Sequence, residues 1–176
     1  NITINTQPQS APDDLNVSPD GSVVTGTAEP GSTVTINNNN GLQIGSGVAG
    51  TDGSFTITIN PPQTNGETIT AIATDPAGNP SLPETALAPD ITAPLPPANL
   101  VINPTGDQVT GMAEPNSTVH ILDPGGAIIG TVTAGSNGEF TATLVPPQTN
   151  GEHLVANATD AAGNTSGNSA ITAPDT

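Results

Sequence analysis

The sequence has no Lys and no Arg among its 176 residues, and it also lacks Cys, Trp and Tyr. Its 16 Asp and Glu residues are therefore uncompensated and give a formal net charge of −16. Without cations the chain cannot neutralise phosphates, which excludes a nucleic-acid partner and docking on anionic lipid. The absence of Cys excludes disulfides, thiol redox sites and Cys-based zinc sites. No apolar run reaches the roughly 18 residues of a transmembrane helix, so no membrane insertion is expected.

An internal repeat organises the chain. Residues 15–81 align with residues 100–166 without a gap, and 37 of the 67 aligned positions are identical. The offset of 85 residues has the size of a domain, whereas solenoid repeats have about 20–50 residues. We therefore predict two tandem domains, 1–90 (repeat 1) and 91–176 (repeat 2). The Pro-rich segment 88–99 between them predicts a stiff, extended joint.

Alternating apolar and polar residues predict short β-strands in each repeat. The segment SFTITI (54–59) places Phe55 and Ile57 on one face, and the equivalent residues Phe140 and Ala142 stay apolar. This shared alternation argues against disorder. Asn-Gly and Asp-Gly turn signals separate the strands at about 8–12 residues, a spacing typical of all-β sandwiches. The predicted fold class is all-β, with two tandem Ig-like β-sandwiches of about seven strands each in Greek-key order.

Four phrases in a fixed order carry a family resemblance. They are GTAEPGSTVTI (26–36), DGSFTITI (52–59), NGETITAIATDPAGN (65–79) and APDITAP (88–94). The sequence resembles the bacterial Ig-like repeats of giant surface adhesins, the biofilm-associated protein family and its relatives, over both repeats. The resemblance implies an exported, extracellular stalk on the bacterial cell surface that supports biofilm formation and adhesion. It also implies Ca²⁺ bound at or near domain junctions, where the ions stiffen the rod.

Asp, Glu and Asn side chains and backbone carbonyls in turns are the groups that this chain offers for such a Ca²⁺ site, since Ca²⁺ prefers oxygen ligands. With the strands lettered A to G, strand A of an Ig-like sandwich begins at the same end as the B–C, D–E and F–G loops. Acids from these loops should therefore converge. The candidates at the junction of the repeats are Asp90, Glu114 and Asp160. The candidates at the head of repeat 1 are Asp13, Asp14, Glu29, Asp52 and Asp75.

A second interpretation of the same acids is local. Asp75 and Asp160 precede Pro-Ala-Gly-Asn and Ala-Ala-Gly-Asn, and an Asp in such a place often caps its own turn. Mutual repulsion of the acids favours a bound cation, whereas a solvated, halophile-like surface is the competing explanation for the charge. Turn capping and metal ligation both stay open.

The sequence favours a mechanical function over catalysis. No paired carboxylates in a cleft and no Ser-His-Asp arrangement are expected, so we predict that the chain is not an enzyme and takes no small-molecule substrate. The expected partners are neighbouring repeats of the same chain and, as a second candidate, like repeats on other cells. Two alternatives to a stalk are a ligand-binding adhesion module and an Ig-like spacer attached to a secreted polysaccharide-active enzyme. A binding module would need an exposed apolar or aromatic patch, for which the chain has little material.

Overall fold

The computed structural model describes residues 5–176, and every regular element in that range is a β-strand. The residues form two compact units that divide after Ile91. Each unit contains seven strands arranged as two sheets, which confirms the predicted all-β fold of two tandem Ig-like domains. Over the same range, the chain has no helix of the length and apolarity needed to cross a membrane.

The strands occur in the same order in both repeats. Those of repeat 1 are β1 (Asp13–Val17), β2 (Val23–Thr27), β3 (Thr33–Asn37), β4 (Gln43–Val48), β5 (Ser54–Thr58), β6 (Thr68–Thr74) and β7 (Glu84–Leu87). Those of repeat 2 are β8 (Ala98–Ile102), β9 (Gln108–Met112), β10 (Thr118–Leu122), β11 (Ile128–Thr133), β12 (Glu139–Thr143), β13 (His153–Thr159) and β14 (Ser169–Thr172).

All strand pairs within the sheets are antiparallel. In repeat 1, one sheet has the order β1-β2-β5 and the other the order β4-β3-β6-β7. Repeat 2 has the equivalent sheets β8-β9-β12 and β11-β10-β13-β14. A β-bulge interrupts the β1–β2 ladder between Asp13 and Asn16. The same irregularity recurs in the β8–β9 ladder between Ala98 and Val101.

The core of each repeat lies between its two sheets. In repeat 1, Val34, Ile36 and Ile69 are fully buried, and Phe55 and Ile57 pack against them from the opposite sheet. The alternation that predicted the strands therefore distinguishes inward from outward residues correctly. Repeat 2 has the equivalent core, with alanine or leucine in place of some isoleucines.

Close backbone packing at one turn requires glycine in both repeats. Gly21 has a φ of 69° and donates its N–H to Ser18, and its carbonyl accepts from Gln63 N. A Cβ on Gly21 would lie 1.9 Å from the Gln63 carbonyl oxygen. Gly106 and Gln148 repeat this geometry with the same 1.9 Å distance. A side chain at either glycine would therefore displace the loop that joins the two sheets, which runs from β5 to β6 in repeat 1 and from β12 to β13 in repeat 2.

One end of repeat 1 gathers three loops and the start of β1. Thr27 at the end of β2 is paired with Asp13 and Ser54. Thr33 at the start of β3 is paired with Val48 and Thr74. Loops 28–32 and 49–53 are joined by hydrogen bonds from Ala28 N to Gly53 O (2.8 Å) and Gly31 N to Ala49 O (3.0 Å). We call this end the head of the repeat.

The chain leaves repeat 1 at the opposite end. Leu87 at the end of β7 pairs with Thr68 at the start of β6, which lies at the far end of the sheet from Thr33. Beyond β7, Asp90 forms an isolated bridge with Asn65. Because seven strands alternate in direction, entrance and exit lie at opposite ends of the sandwich.

Candidate functional site

The buried acid at the head of repeat 1 is Asp75, which directly follows β6 and is 6% exposed. Its Oδ1 accepts the N–H of Asn79 at 2.8 Å. Its Oδ2 accepts Asn79 Nδ2 at 2.9 Å and Asn5 Nδ2 at 2.8 Å. The side-chain and backbone hydrogen bonds from Asn79 hold the pKa of Asp75 below its ordinary value. Both carboxylate oxygens are thus engaged by amide donors.

Asp160 repeats this turn in the second domain. Its Oδ1 accepts Asn164 N and its Oδ2 accepts Asn164 Nδ2, both at 2.9 Å. The side-chain hydrogen bond from Asn164 is the main cause that lowers the pKa of Asp160. Asp160 is half-buried. The Asp-x-Ala-Gly-Asn motif is therefore a capped turn in both repeats, as the local interpretation predicts.

The other head acids of repeat 1 lie in separate, exposed places. Asp52 Oδ1 accepts hydrogen bonds from Ser54 N at 3.0 Å and from Ser54 Oγ at 2.8 Å. The bond from the Ser54 hydroxyl is the main cause that lowers the pKa of Asp52. Asp13 Oδ1 accepts the N–H of Asp14 at 2.8 Å, within the β1 bulge. Each carboxylate thus satisfies donors of its own turn or strand.

Glu29 and Glu114 stabilise their loops through the backbone rather than through their carboxylates. The Glu29 carbonyl accepts both the N–H and the hydroxyl of Ser32, at 3.0 and 2.7 Å. The Glu114 carbonyl accepts the same two groups of Ser117, at 3.1 and 2.7 Å. Both glutamate side chains are exposed.

Asp90 lies at the exit end of repeat 1, not among the head acids of that repeat. It is half-buried, and its neighbours in the chain are held by hydrogen bonds from Gly66 N to Pro89 O (3.2 Å) and from Ile91 N to Thr64 O (2.9 Å). Asp175 has the equivalent bridge to Asn150 in repeat 2. The segments around Asp90 and Asp175 are therefore each tied to the domain whose last strand they follow.

No group of three or more His, Asp or Glu side chains within residues 5–176 is placed to hold a metal ion. The donor set inside repeat 1 fits turn caps better than Ca²⁺, because amide N–H groups occupy the carboxylate oxygens that an ion would need. A calcium site on the predicted acids stays a prediction.

Several residues that fix the head were not predicted from the sequence. Asn79 and Asn164 supply the caps of Asp75 and Asp160, and the identical spacing in both repeats was the available signal. Ser81 is buried and its Oγ accepts the N–H of Ala73 at 3.0 Å. Its twin Ser166 accepts from Ala158 in the same way.

An apolar hollow on repeat 2 was also not expected. Its volume is about 310 Å³, and its lining comes from the segment before β8 and from the end of β9. The lining residues are Leu95, Pro96, Ala98, Met112, Ala113 and Glu114. Leu95 is 82% exposed.

Comparisons with known proteins place the repeats in a family. A family model described as bacterial Ig domain matches residues 8–90 and again residues 93–175. No curated protein matches the chain.

Two solved structures are similar in fold at low identity. One is a biofilm-associated protein BSP domain, with 22% identity, a TM-score of 0.42 and coverage of 95% of this chain. This chain spans 30% of the length of that protein. The other is a two-domain fibronectin type-III segment of chicken tenascin, with 19% identity, a TM-score of 0.40 and coverage of 93% and 98% of the two chains.

Proposed function

Because this chain belongs to the bacterial Ig-domain family, we propose that its two repeats are stalk repeats of a bacterial cell-surface adhesin. Their function is to extend a distal binding region away from the cell and so to support adhesion and biofilm formation. The observation that carries the proposal is the placement of entrance and exit at opposite ends of the sandwich in repeat 1. A domain built in this way adds its full length each time it is repeated.

The length gained per domain follows from the strands. The seven residues of β6 span about 24 Å at roughly 3.4 Å per residue, so each copy adds at least that distance. An unfolded linker of 85 residues would have a root-mean-square span of about 50 Å with large fluctuations, and this span grows only as the square root of the number of residues, whereas folded repeats add their lengths. The folded repeat therefore supplies a defined distance.

The acidic composition opposes association between copies of the repeat. Near-identical tandem β-domains are at risk of pairing through their edge strands. Uncompensated charge opposes such pairing. The exposed acids Asp13 and Asp14 lie on β1, which is an edge of its sheet, and Glu84 lies on the edge strand β7.

The stalk proposal is tested by displaying a reporter binding domain on bacteria above arrays with different numbers of this repeat. Capture of a bead-bound ligand through a polymer layer should increase with repeat number. A matched control is a Gly/Ser linker with the same number of residues, which should reach less far than an array of about ten copies because its span grows only as the square root of its length. Equal capture by the repeat array and the Gly/Ser linker would refute the extender function.

Calcium is the second part of the proposal, and its support comes from the repeat equivalence. Asn5 is the residue 85 positions before Asp90. In repeat 1, Asn5 donates to Asp75 and its carbonyl accepts Asn79 Nδ2 at 2.9 Å. In the sequence, Asp90 thus has the position relative to repeat 2 that Asn5 has relative to repeat 1, and two carboxylates that approach each other favour a bound cation. We therefore propose Asp90 and Asp160 as Ca²⁺ ligands, with Glu114 as a further candidate.

A further inference from the structure

The outer face of the β8-β9-β12 sheet in repeat 2 carries an apolar patch. Met112 is paired with Ala98 on one side and with Glu139 on the other. Val101, which is paired with Thr110 on the same face, is 61% exposed. Together with Leu95 and Pro96, these apolar residues form what we call the Met112 patch (Leu95, Pro96, Ala98, Val101 and Met112).

Repeat 1 shows that the sandwich does not need this patch. Its residues at the five equivalent positions are Ser10, Ala11, Asp13, Asn16 and Thr27. Four of those five are polar, although both repeats have the same strands and sheets. Other outward positions change in both senses, since Val23 corresponds to Gln108 whereas Gln43 corresponds to the exposed Ile128. The apolar side chains are therefore a feature of this surface of repeat 2, not of the fold.

The patch has a shape that can accept a side chain. The hollow of about 310 Å³ lies on one side of Met112, and a second hollow on the same sheet, which includes Glu139 and Thr141, lies on the other. Met112 contributes to both, and methionine adapts its shape to different apolar partners. It is the only Met in the chain.

Acidic groups border the apolar surface. Glu114 lines the first hollow and Glu139 lines the second, and both side chains are exposed. The whole chain adds a formal charge of −16 without one Lys or Arg. A second copy of this chain would carry the same charge and would be repelled, whereas a cationic partner would be attracted.

We propose that the Met112 patch binds a basic amphipathic segment of another protein. An aliphatic side chain of that segment fills the hollow beside Met112, and its Lys or Arg side chains lie against Glu114 and Glu139. This inference goes beyond the stalk function and does not depend on it. Because the apolar area is small, the complex is weak and sensitive to salt.

The test uses the intact chain and a short helical peptide made of Leu and Lys. The methyl resonance of Met112 gives a single nuclear magnetic resonance signal that reports on the site directly. We expect this signal to shift on titration with the Leu/Lys peptide. A peptide of Leu and Gln with the same pattern should bind much more weakly. An unmoved Met112 methyl signal, or equal binding of the two peptides, would overturn the proposal.

Two variants distinguish binding at the Met112 patch from a general attraction of the cationic peptide to the acidic chain. The double variant Leu95→Ser with Met112→Thr introduces the residues found at Ser10 and Thr27, which the same fold already accommodates. Because this variant lacks the Met112 methyl group, its binding is measured by isothermal titration calorimetry, and it should be weaker by about tenfold or more through lost apolar contact. The matched control Leu82→Ser removes a leucine of repeat 1 that is 78% exposed and should leave binding unchanged. Wild-type affinity in the double variant, or an equal loss in the control, would contradict the assignment.

Discussion

Asn79 donates both its backbone N–H and its side-chain Nδ2 to the carboxylate of Asp75, at 2.8 and 2.9 Å. These two bonds close the turn that follows β6, and Asn164 with Asp160 closes the equivalent turn in repeat 2. The head of each repeat is thus held by an acid whose partner lies four residues further along the chain.

The first prediction concerns this cap. Asp75→Ala should lower the melting temperature by several degrees in EDTA, because the half-buried Asn79 donors lose their acceptor. Glu84→Ala is a charge-matched control on the exposed edge strand β7 and should leave the melting temperature nearly unchanged or raise it slightly. Thermal unfolding followed by circular dichroism measures both. Equal changes in melting temperature for the two substitutions would show that net charge, and not the cap, determines the effect on stability.

The second prediction is the pH dependence of the cap. The pKa of Asp75 is lowered in the folded state, mainly by the Asn79 side chain. A carboxylate with a lowered folded-state pKa stabilises the fold fully above its unfolded value, about pH 4, and loses that contribution as pH falls through the folded value. The difference in melting temperature between wild type and Asp75→Asn should therefore be constant from neutral pH to about pH 4.5 and shrink below that.

The comparison with the variant is needed because protonation of other acids also relieves repulsion. Asp20, whose pKa is lowered to about 2 mainly by the Ser18 hydroxyl, contributes equally to wild type and variant and cancels in the difference. A difference that grows towards low pH would show that Asp75 is not stabilised as a carboxylate.

The third prediction tests the contact of Gly21 with Gln63. Gly21→Ala should destabilise repeat 1 by at least about 3 kcal/mol, because its Cβ would lie 1.9 Å from a backbone oxygen and the φ of 69° is unfavourable for alanine. Gly31→Ala is the matched control, since its φ of 80° is similar but nothing lies within 4 Å of its Cβ. The control should cost about 1–2 kcal/mol. Urea unfolding compares the two, and similar losses would contradict the role of the contact.

The sequence predicted the sandwich well because the strand positions are set by alternation, which both repeats share. The predicted strand segment 54–59 contains β5, and Phe55 and Ile57 are buried as expected. The turns were also predictable, because the glycines of Asp-Gly and Asn-Gly pairs have the expected positive φ, as at Gly53 and Gly66.

The candidate site was less predictable because it depends on which donor reaches which acid. The sequence allows Asp75 to be a metal ligand or a turn cap, whereas the structure shows that the amides of Asn5 and Asn79 donate to its oxygens. The Met112 patch could not be predicted from the sequence, because Leu95 and Met112 are distant in sequence and line one hollow only in the folded domain.

The fourth prediction concerns calcium. If Asp90 and Asp160 hold an ion, a tenfold excess of free Ca²⁺ over its dissociation constant should add about 1.4 kcal/mol per site and raise the melting temperature by about 5–10 °C. Equal Mg²⁺ should have little effect. Asp90→Ala with Asp160→Ala should abolish the Ca²⁺ response, whereas Glu84→Ala should retain it. A wild-type melting temperature that does not respond to Ca²⁺ would leave both acids as local stabilisers only.

The most direct test of the stalk is to pull the two-repeat chain by its ends in a single-molecule force experiment. Because β1 begins at the head of repeat 1 and β7 ends opposite to it, force loads the ladders of β1 with β2 and β6 with β7 along the strands. Many hydrogen bonds must then break together. We predict two separate unfolding steps, each of which lengthens the chain by about 230 Å. Gradual extension at low force without discrete steps would contradict the function of a stalk that resists tension.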